Sequence, residues 1–467
     1  MDDFIKQYKK FKLPNIDKLL SGRKITSGSG GSNNLIYIKP KYAFKIIPNY
    51  RKKWDSKYKL KNDQEEIQFY KKFTKYLILK HKTPHIVGCY KHIKLNIEDH
   101  LKNKNCPKLK SRQKEFDSYL RASIREYQKS KQYKQLKQEQ NKNKKTKKKN
   151  KYQMKSEKKK KSRKKIPHRL CNYSFASICS SWSHSGKRLT FDGIFVEMCP
   201  TTISDEFQTN LSKITHKYIE KYITDFIDRV VFQYCYTMCA IYSVYPSFVH
   251  NDMFLRNILA INNTKYKPND YIKYTINLAT SNGQKKGTKY TKKMNKKKIF
   301  YLPANGVSIK LNDFGYSFAF PQMGDKSLQK QFIKNIQKCD SKGKTHMEPD
   351  NSENNDTFNF LHDLYDGEDF GQPSLSSVIK KSKMLKKKKD KLLNIVKSTC
   401  HKYIDTTTID KINKYNRWQL DSVWSPRNLP LLQKTVFRPQ EYFNMNIFDK
   451  YTSIDGSNYR IVASYEF

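Results

Sequence analysis

Residues 248 to 259 read Phe-Val-His-Asn-Asp-Met-Phe-Leu-Arg-Asn-Ile-Leu. The apolar ends read as buried strand, so whatever fold the chain adopts must hold His250, Asp252 and Asn257 on a short connection between two pieces of core. Asp252 can accept a hydroxyl proton, and Asn257, five positions on, can hold Mg²⁺ through its side-chain oxygen. That spacing suggests phosphoryl transfer. Read alone, the same residues also describe a buried histidine beside a turn.

Charge limits how much of the chain is core. The 467 residues carry 94 Lys+Arg against 42 Asp+Glu, a net +52, more than a compact domain of this length needs. Residues 142 to 165 hold fifteen Lys/Arg and one acid, Glu157, with almost nothing apolar. Such a block repels itself and cannot offset its ordering entropy, so it is expected to be disordered. It reads either as a tether for nucleic acid or another anionic surface, since lysine neutralises phosphates without sequence preference, or as a solvated low-complexity insertion. Lesser basic runs lie at 285 to 298 and 380 to 391. The nine cysteines show no C-x-x-C pair and no zinc spacing, which suggests reduced thiols in an intracellular protein. The first residues carry neither a secretory nor a transit pattern. The uncharged stretch 230 to 249 is long enough to span a membrane, but Gln233, Thr237, Ser243, Pro246 and Ser247 interrupt it, so a buried helix is expected instead.

Residues 24 to 47 read as strand, glycine turn, strand. Gly28, Ser29, Gly30 and Gly31 would let backbone amides approach phosphate oxygens, although a flexible turn looks the same. Lys45 then sits on an otherwise apolar strand, Ala43-Phe44-Lys45-Ile46-Ile47, where an ammonium calls for a carboxylate. A helix opening at Asn62 or Asp63, with Ile67, Tyr70, Phe73 and Leu77 on its buried face, offers Glu65 and Glu66. Glu66, at the edge of the apolar stripe, is the expected partner, and Glu65 the first-turn charge. A strand is expected at 85 to 90, another at 191 to 200 that exits into a polar segment, and a helix over 215 to 245. Residues 307 to 315 alternate as a strand ending in Asp313-Phe314-Gly315, which would present a carboxylate at a sheet edge.

The ordered set of glycine turn, Lys45, Glu66, Asp252, Asn257 and Asp313 resembles a protein kinase over roughly residues 20 to 365. The Lys/Asn/Tyr-rich composition, and Tyr301-Leu302-Pro303-Ala304-Asn305-Gly306 ahead of Asp313-Phe314-Gly315-Tyr316-Ser317, are similar to divergent serine/threonine protein kinases of giant DNA viruses of the mimivirus kind. The resemblance implies an α+β, two-lobed fold: a small β-rich N-lobe with one main helix and a larger, mainly helical C-lobe. Residues 1–97 and 169–199 would form the N-lobe and hinge, 98–168 a disordered Lys-rich insertion, and 200–467 the C-lobe with a second Lys-rich insertion at about 264–300. The stretch from 380 to the end is expected to complete the C-lobe, more helical than not.

By the same resemblance, Gly28, Ser29, Gly30 and Gly31 would cover the ATP phosphates, with Asn33 where a third glycine is usual. Lys45 would contact the α- and β-phosphates and pair with Glu66. Val196 would be the gatekeeper, and Glu197 to Cys199 the adenine-binding hinge. Asp252 would take the substrate's proton, Asn257 and Asp313 would hold Mg²⁺, and Asp356 would anchor the catalytic loop. Three positions depart from the family. Asn251 replaces the usual phosphate-gripping arginine. No Ala-Pro-Glu follows Asp313-Phe314-Gly315, and Met347-Glu348-Pro349 is a poor substitute. Phe254 stands where serine/threonine kinases carry lysine, and Arg256 where tyrosine kinases carry arginine. Serine or threonine in a protein substrate is the expected acceptor. A small-molecule kinase of the aminoglycoside and choline type is the alternative, as is an inactive scaffold binding nucleic acid through its lysines. The expected protein is a monomer without a membrane span, in a host cytoplasm or a virion if viral.

Overall fold

The computed structural model describes residues 3–16, 19, 24–25, 35–48, 62–95, 191–250, 252–279, 295–319, 323–324, 352–366, 373–407, 436–454 and 458–467. It combines α-helices with small, mostly antiparallel sheets, an α+β protein. The glycine turn at 28 to 31, Asn251, the basic block at 142 to 165 and Met347-Glu348-Pro349 lie outside the described residues.

A five-stranded sheet runs in the order Lys24–Ile25, Leu35–Lys39, Tyr42–Pro48, Phe191–Glu197, Cys89–Leu95. Register puts Lys45 between Ile36 and Ile194. Phe44 stacks on Phe195 with ring centroids 4.4 Å apart. Its ring also covers Gly193, where a Cβ would lie 2.7 Å from it, so only glycine fits under that ring. The expected strand at 85 to 90 begins later, at Cys89, because residues 85 to 87 instead bridge to the strand ending at Leu311.

Two helices position the site. The first, Asn62–Phe73, buries Ile67, Phe69, Tyr70 and Phe73, then continues as a π-helical turn, Thr74–Ile78. The second, Ile219–Tyr242, is buried on every side from Val230 to Ile241. A helix apolar all round must lie inside the molecule. Its Phe232 meets Tyr274, Phe300, Phe443, Phe448 and Tyr451 near edge-on at 5.1–5.5 Å. No helix among the described residues is long and apolar enough to cross a membrane.

One expectation beyond residue 200 needs correction, and two gain detail. The Lys-rich insertion expected at about 264 to 300 contains two long strands, Asp270–Ala279 and Asn295–Pro303, paired antiparallel. Tyr274 and Ile276 on one strand, and Phe300 and Leu302 on the other, are buried at two-residue spacing, with Phe300 opposite Tyr274, while Lys297 is exposed. The described part of the C-terminal stretch is more helical than not, as expected, and it ends in the strand Arg460–Glu466, which adds to that hairpin in parallel. The segment after residue 200 is a helix, Ile203–Lys213, started by Thr202, whose hydroxyl accepts the Asp205 amide.

Candidate active site

Among its described residues the connection from Val249 to Ile258 contains one short 3₁₀ turn, Leu255–Asn257, so its shape comes from outside anchors. The His250 amide donates to Asp356 Oδ2 at 2.6 Å, and the Leu255 amide to Asp363 Oδ2 at 2.7 Å. Both carboxylates are buried on the helix Ser352–Asp366, seven residues apart and therefore on one face. Charged acceptors of this kind hold an amide about twice as strongly as neutral ones. The His250 carbonyl accepts from the Ser317 hydroxyl at 3.1 Å, and the Asn312 amide donates to the Asn257 carbonyl at 2.9 Å. Burial holds the His250 ring down at about 4, so it is neutral and donates Nε2–H to the Asn312 carbonyl at 3.1 Å.

Asp252 is held at the loop's mouth. Asn257 Nδ2 donates to its carbonyl oxygen at 2.7 Å and to Oδ2 at 2.8 Å. The Arg256 guanidinium bonds Oδ1 and lies 4.5 Å over the Phe254 ring. Burial pushes the Asp252 carboxyl up to about 6. Arg256 and Asn257 oppose the rise, and the neighbouring Asp313 carboxylate adds to it. With the Asn257 amide nitrogen committed, its oxygen is the atom it can offer a cation.

Lys45 and Glu66 form an ion pair of 2.5 Å with both side chains nearly out of solvent. One turn along the same helix, the Tyr70 hydroxyl bonds Asn312 Oδ1 and accepts the Asp313 amide at 3.1 Å. Asp313 itself has φ +59°, a left-handed conformation unusual for a residue with a Cβ. Phe314 is fully buried against Tyr70, Phe73 and His250, with centroids 5.1–5.3 Å away. Asp252, Asn257 and Asp313 thus converge on one spot, and Tyr70 links that spot to the helix bearing Glu66.

At the Val196–Cys199 corner the Glu197 side chain is held inside the fold. The Glu197 carboxylate is engaged by the buried Lys310 ammonium at 2.8 Å and by the Gly88 amide at 3.3 Å, and its own amide donates to Gly88 O. Cys199 is half-buried, and burial together with Glu197 pushes its thiol well above the ordinary value.

Among the described residues no three His, Cys, Asp or Glu side chains cluster as a metal cage. One carboxylate and one amide oxygen at the Asp313–Asn257 spot are a hard-oxygen set of the size Mg²⁺ uses when phosphates and water complete its shell. The residues present fit that ion. Asp363 and Lys310 are absent from the sequence reading. A helix aspartate and a strand lysine look like surface residues until their burial is known, although Asp363 does repeat Asp356 at the seven-residue spacing of one helix face.

No family model matches the chain, and no solved structure matches it. A protein of Acanthamoeba polyphaga mimivirus whose name is "putative serine/threonine-protein kinase" is 28% identical over 495 residues, spanning 99% of this chain and 98% of that one. The chain therefore has a kinase-like relative along its whole length.

Proposed function

We propose that this chain is an ATP- and Mg²⁺-dependent protein kinase that transfers the γ-phosphoryl group to a protein hydroxyl, serine or threonine first. The observation that carries the reading is the convergence of Asp252, Asn257 and Asp313, tied through Tyr70 to a buried Lys45–Glu66 pair.

In this reading Lys45 offsets phosphate charge while Glu66 fixes its ammonium, and the amides of Gly28 to Gly31 cover the phosphates. Asn257 Oδ1 and the Asp313 carboxylate hold Mg²⁺, which supplies neutralisation of the charge developing on the phosphoryl oxygens. Asp252 orients the acceptor hydroxyl and takes its proton. A carboxylate titrating at about 6 is ionised at neutral pH yet basic enough to share a proton in the transition state. The adenine lies against the backbone from Glu197 to Cys199. Residues 1–97 and 169–199 form the smaller lobe, and 200–467 the larger. The name of the mimivirus relative supports a serine/threonine acceptor. The missing Ala-Pro-Glu favours a second reading, a small-molecule acceptor.

The test is transfer from labelled ATP by the wild type and Asp252→Ala to a panel of basic, acidic and tyrosine-containing proteins and to small alcohols such as aminoglycosides. Transfer to protein serine or threonine that vanishes in Asp252→Ala, with nucleotide binding retained, is the expected result. Transfer undiminished in the variant overturns the assignment of Asp252, and transfer only to the small alcohols overturns the protein substrate.

A further inference from the structure

We propose that Tyr70 is a positioning residue whose hydroxyl clamps the backbone at Asp313, so that the Lys45–Glu66 pair and the Asp313 carboxylate are set as one unit. This rests on the reading above for its catalytic consequence, but not for the clamp itself.

Tyr70 follows Glu66 by four residues, so the two side chains lie on one helix face a turn apart. Hydrophobic spacing at that position asks only for an apolar residue. A phenol there, 1% exposed and packed edge-on against Phe314, is unfavourable unless its hydroxyl is satisfied. It is satisfied twice: the hydroxyl donates to Asn312 Oδ1 and accepts the Asp313 N–H at 3.1 Å. Both partners belong to the two residues that turn the chain out of the strand Val307–Leu311. Asp313 is one of two non-glycine residues with positive φ among the described residues. Backbone held in that region persists only where its surroundings over-determine it. The amide bond to Tyr70 is one such constraint, and the burial of Phe314 beneath the same ring is the other. Burial, with Glu66 and Asp313 nearby, pushes the phenol's pKa well above its ordinary value, so it stays protonated and able to donate.

The consequence is coupling. Movement of the helix that separates Glu66 from Lys45 also withdraws the hydroxyl and leaves the Asp313 amide without its acceptor. Movement of Asp313 takes from the phenol the amide it accepts and leaves only its bond to Asn312. Each half of the site thus helps to hold the other in place.

Tyr70→Phe in the full chain keeps the ring and removes only the hydroxyl. Amide hydrogen exchange without nucleotide is the first readout. Residues 311 to 315 are expected to exchange about tenfold faster or more, while the hairpin 270 to 303 stays as in the wild type. Kinetics are the second: kcat is expected to fall about ten- to a hundredfold, the range for leaving one buried amide unpaired. The Mg²⁺ concentration giving half-maximal rate should rise, and KM for ATP should change little. Asn312→Ala, which removes the hydroxyl's acceptor and keeps the Asp313 bond, should shift the same exchange less. Wild-type exchange at 311 to 315 in Tyr70→Phe overturns the clamp. Faster exchange with an unchanged or increased kcat and an unchanged Mg²⁺ requirement overturns its positioning role. If the wild type transfers no phosphate at all, the kinase reading fails, and exchange alone decides the clamp.

Discussion

Folding imposes a cost on the Asp252 carboxylate that can be measured apart from any activity. Its pKa rises from 3.8 to about 6, chiefly through burial. Protonation is therefore favoured in the folded state: this contribution to stability is full below pH 3.8 and is lost as pH rises through about 6. The rise corresponds to about 3 kcal/mol at pH 8 and about 1 kcal/mol at pH 4.5. Asp252→Asn removes the titrating proton and keeps the side chain's shape. The variant should gain on the wild type by about 2 kcal/mol between pH 4.5 and pH 8. Any pH-independent offset from altered pairing with Arg256 cancels in that difference, as do titrating groups distant from Asp252. Denaturant unfolding of both proteins at several pH values, compared at equal m, reads it directly. Two stability curves that run parallel from pH 4.5 to 8 would refute the argument. The same proton sets an acid limb in the proposed reaction: kcat/KM should fall on acidification through about pH 6, because the protonated carboxyl cannot accept the substrate's proton.

Glu66→Ala takes the carboxylate from the Lys45 ammonium and should cost about 3–5 kcal/mol. The double variant Lys45→Met, Glu66→Leu should recover most of that in a melting experiment while remaining inactive. Asp363→Ala leaves the Leu255 amide buried without its acceptor, which should cost about 1–3 kcal/mol and lower kcat more than it raises KM for ATP. Deleting residues 458 to 467 removes the strand whose Arg460 bonds Asp270 with two nitrogens, whose Tyr465 covers Tyr274 and whose Glu466 amide bonds the His81 carbonyl. Exposing that aromatic cluster should cost about 3 kcal/mol or more, read as a lower melting temperature and faster exchange over 270 to 279.

What the sequence shows and what it hides follow one physical rule. Lys45 stands out because an ammonium on an apolar strand is costly, and the same cost predicts a carboxylate nearby. The structure gives Glu66 that place. Asp252, Asn257 and Asp313 stand out because their spacing is local to two short segments. The strand pair at 270 to 303 is hidden because the lysines at 285 to 298 make the average composition read as insertion, although Tyr-x-Ile and Phe-x-Leu are buried at two-residue spacing. The strand Arg460–Glu466 is hidden because its partner is 190 residues away, and no local pattern encodes a parallel pairing of that range. Tyr70 is legible as core, but not as a hydrogen-bonding residue, since periodicity ranks a side chain by burial and is silent about what its hydroxyl meets.

The anchoring of the Asp252 loop also bears on how the proposed enzyme would be controlled. In the family it resembles, an arginine before the aspartate ties the loop to a phosphorylated residue, so that order at the site waits on phosphorylation. Here Asn251 stands in that place. The loop's order has other sources: Asp356 and Asp363 accept two of its amides, Ser317 bonds the His250 carbonyl, and Asn312 bonds the Asn257 carbonyl. Each of these bonds is made by unmodified side chains or backbone, and the two to carboxylates are charge-assisted and buried, where water does not compete. No phosphate is needed to complete the set. A phosphatase-treated sample, verified free of phosphate by mass spectrometry, should therefore keep its initial rate within about twofold of the untreated protein, whereas a switch built on a phosphate–arginine contact is worth far more than that. A tenfold loss on treatment, restored on rephosphorylation, would show that an anchor outside these four governs the loop.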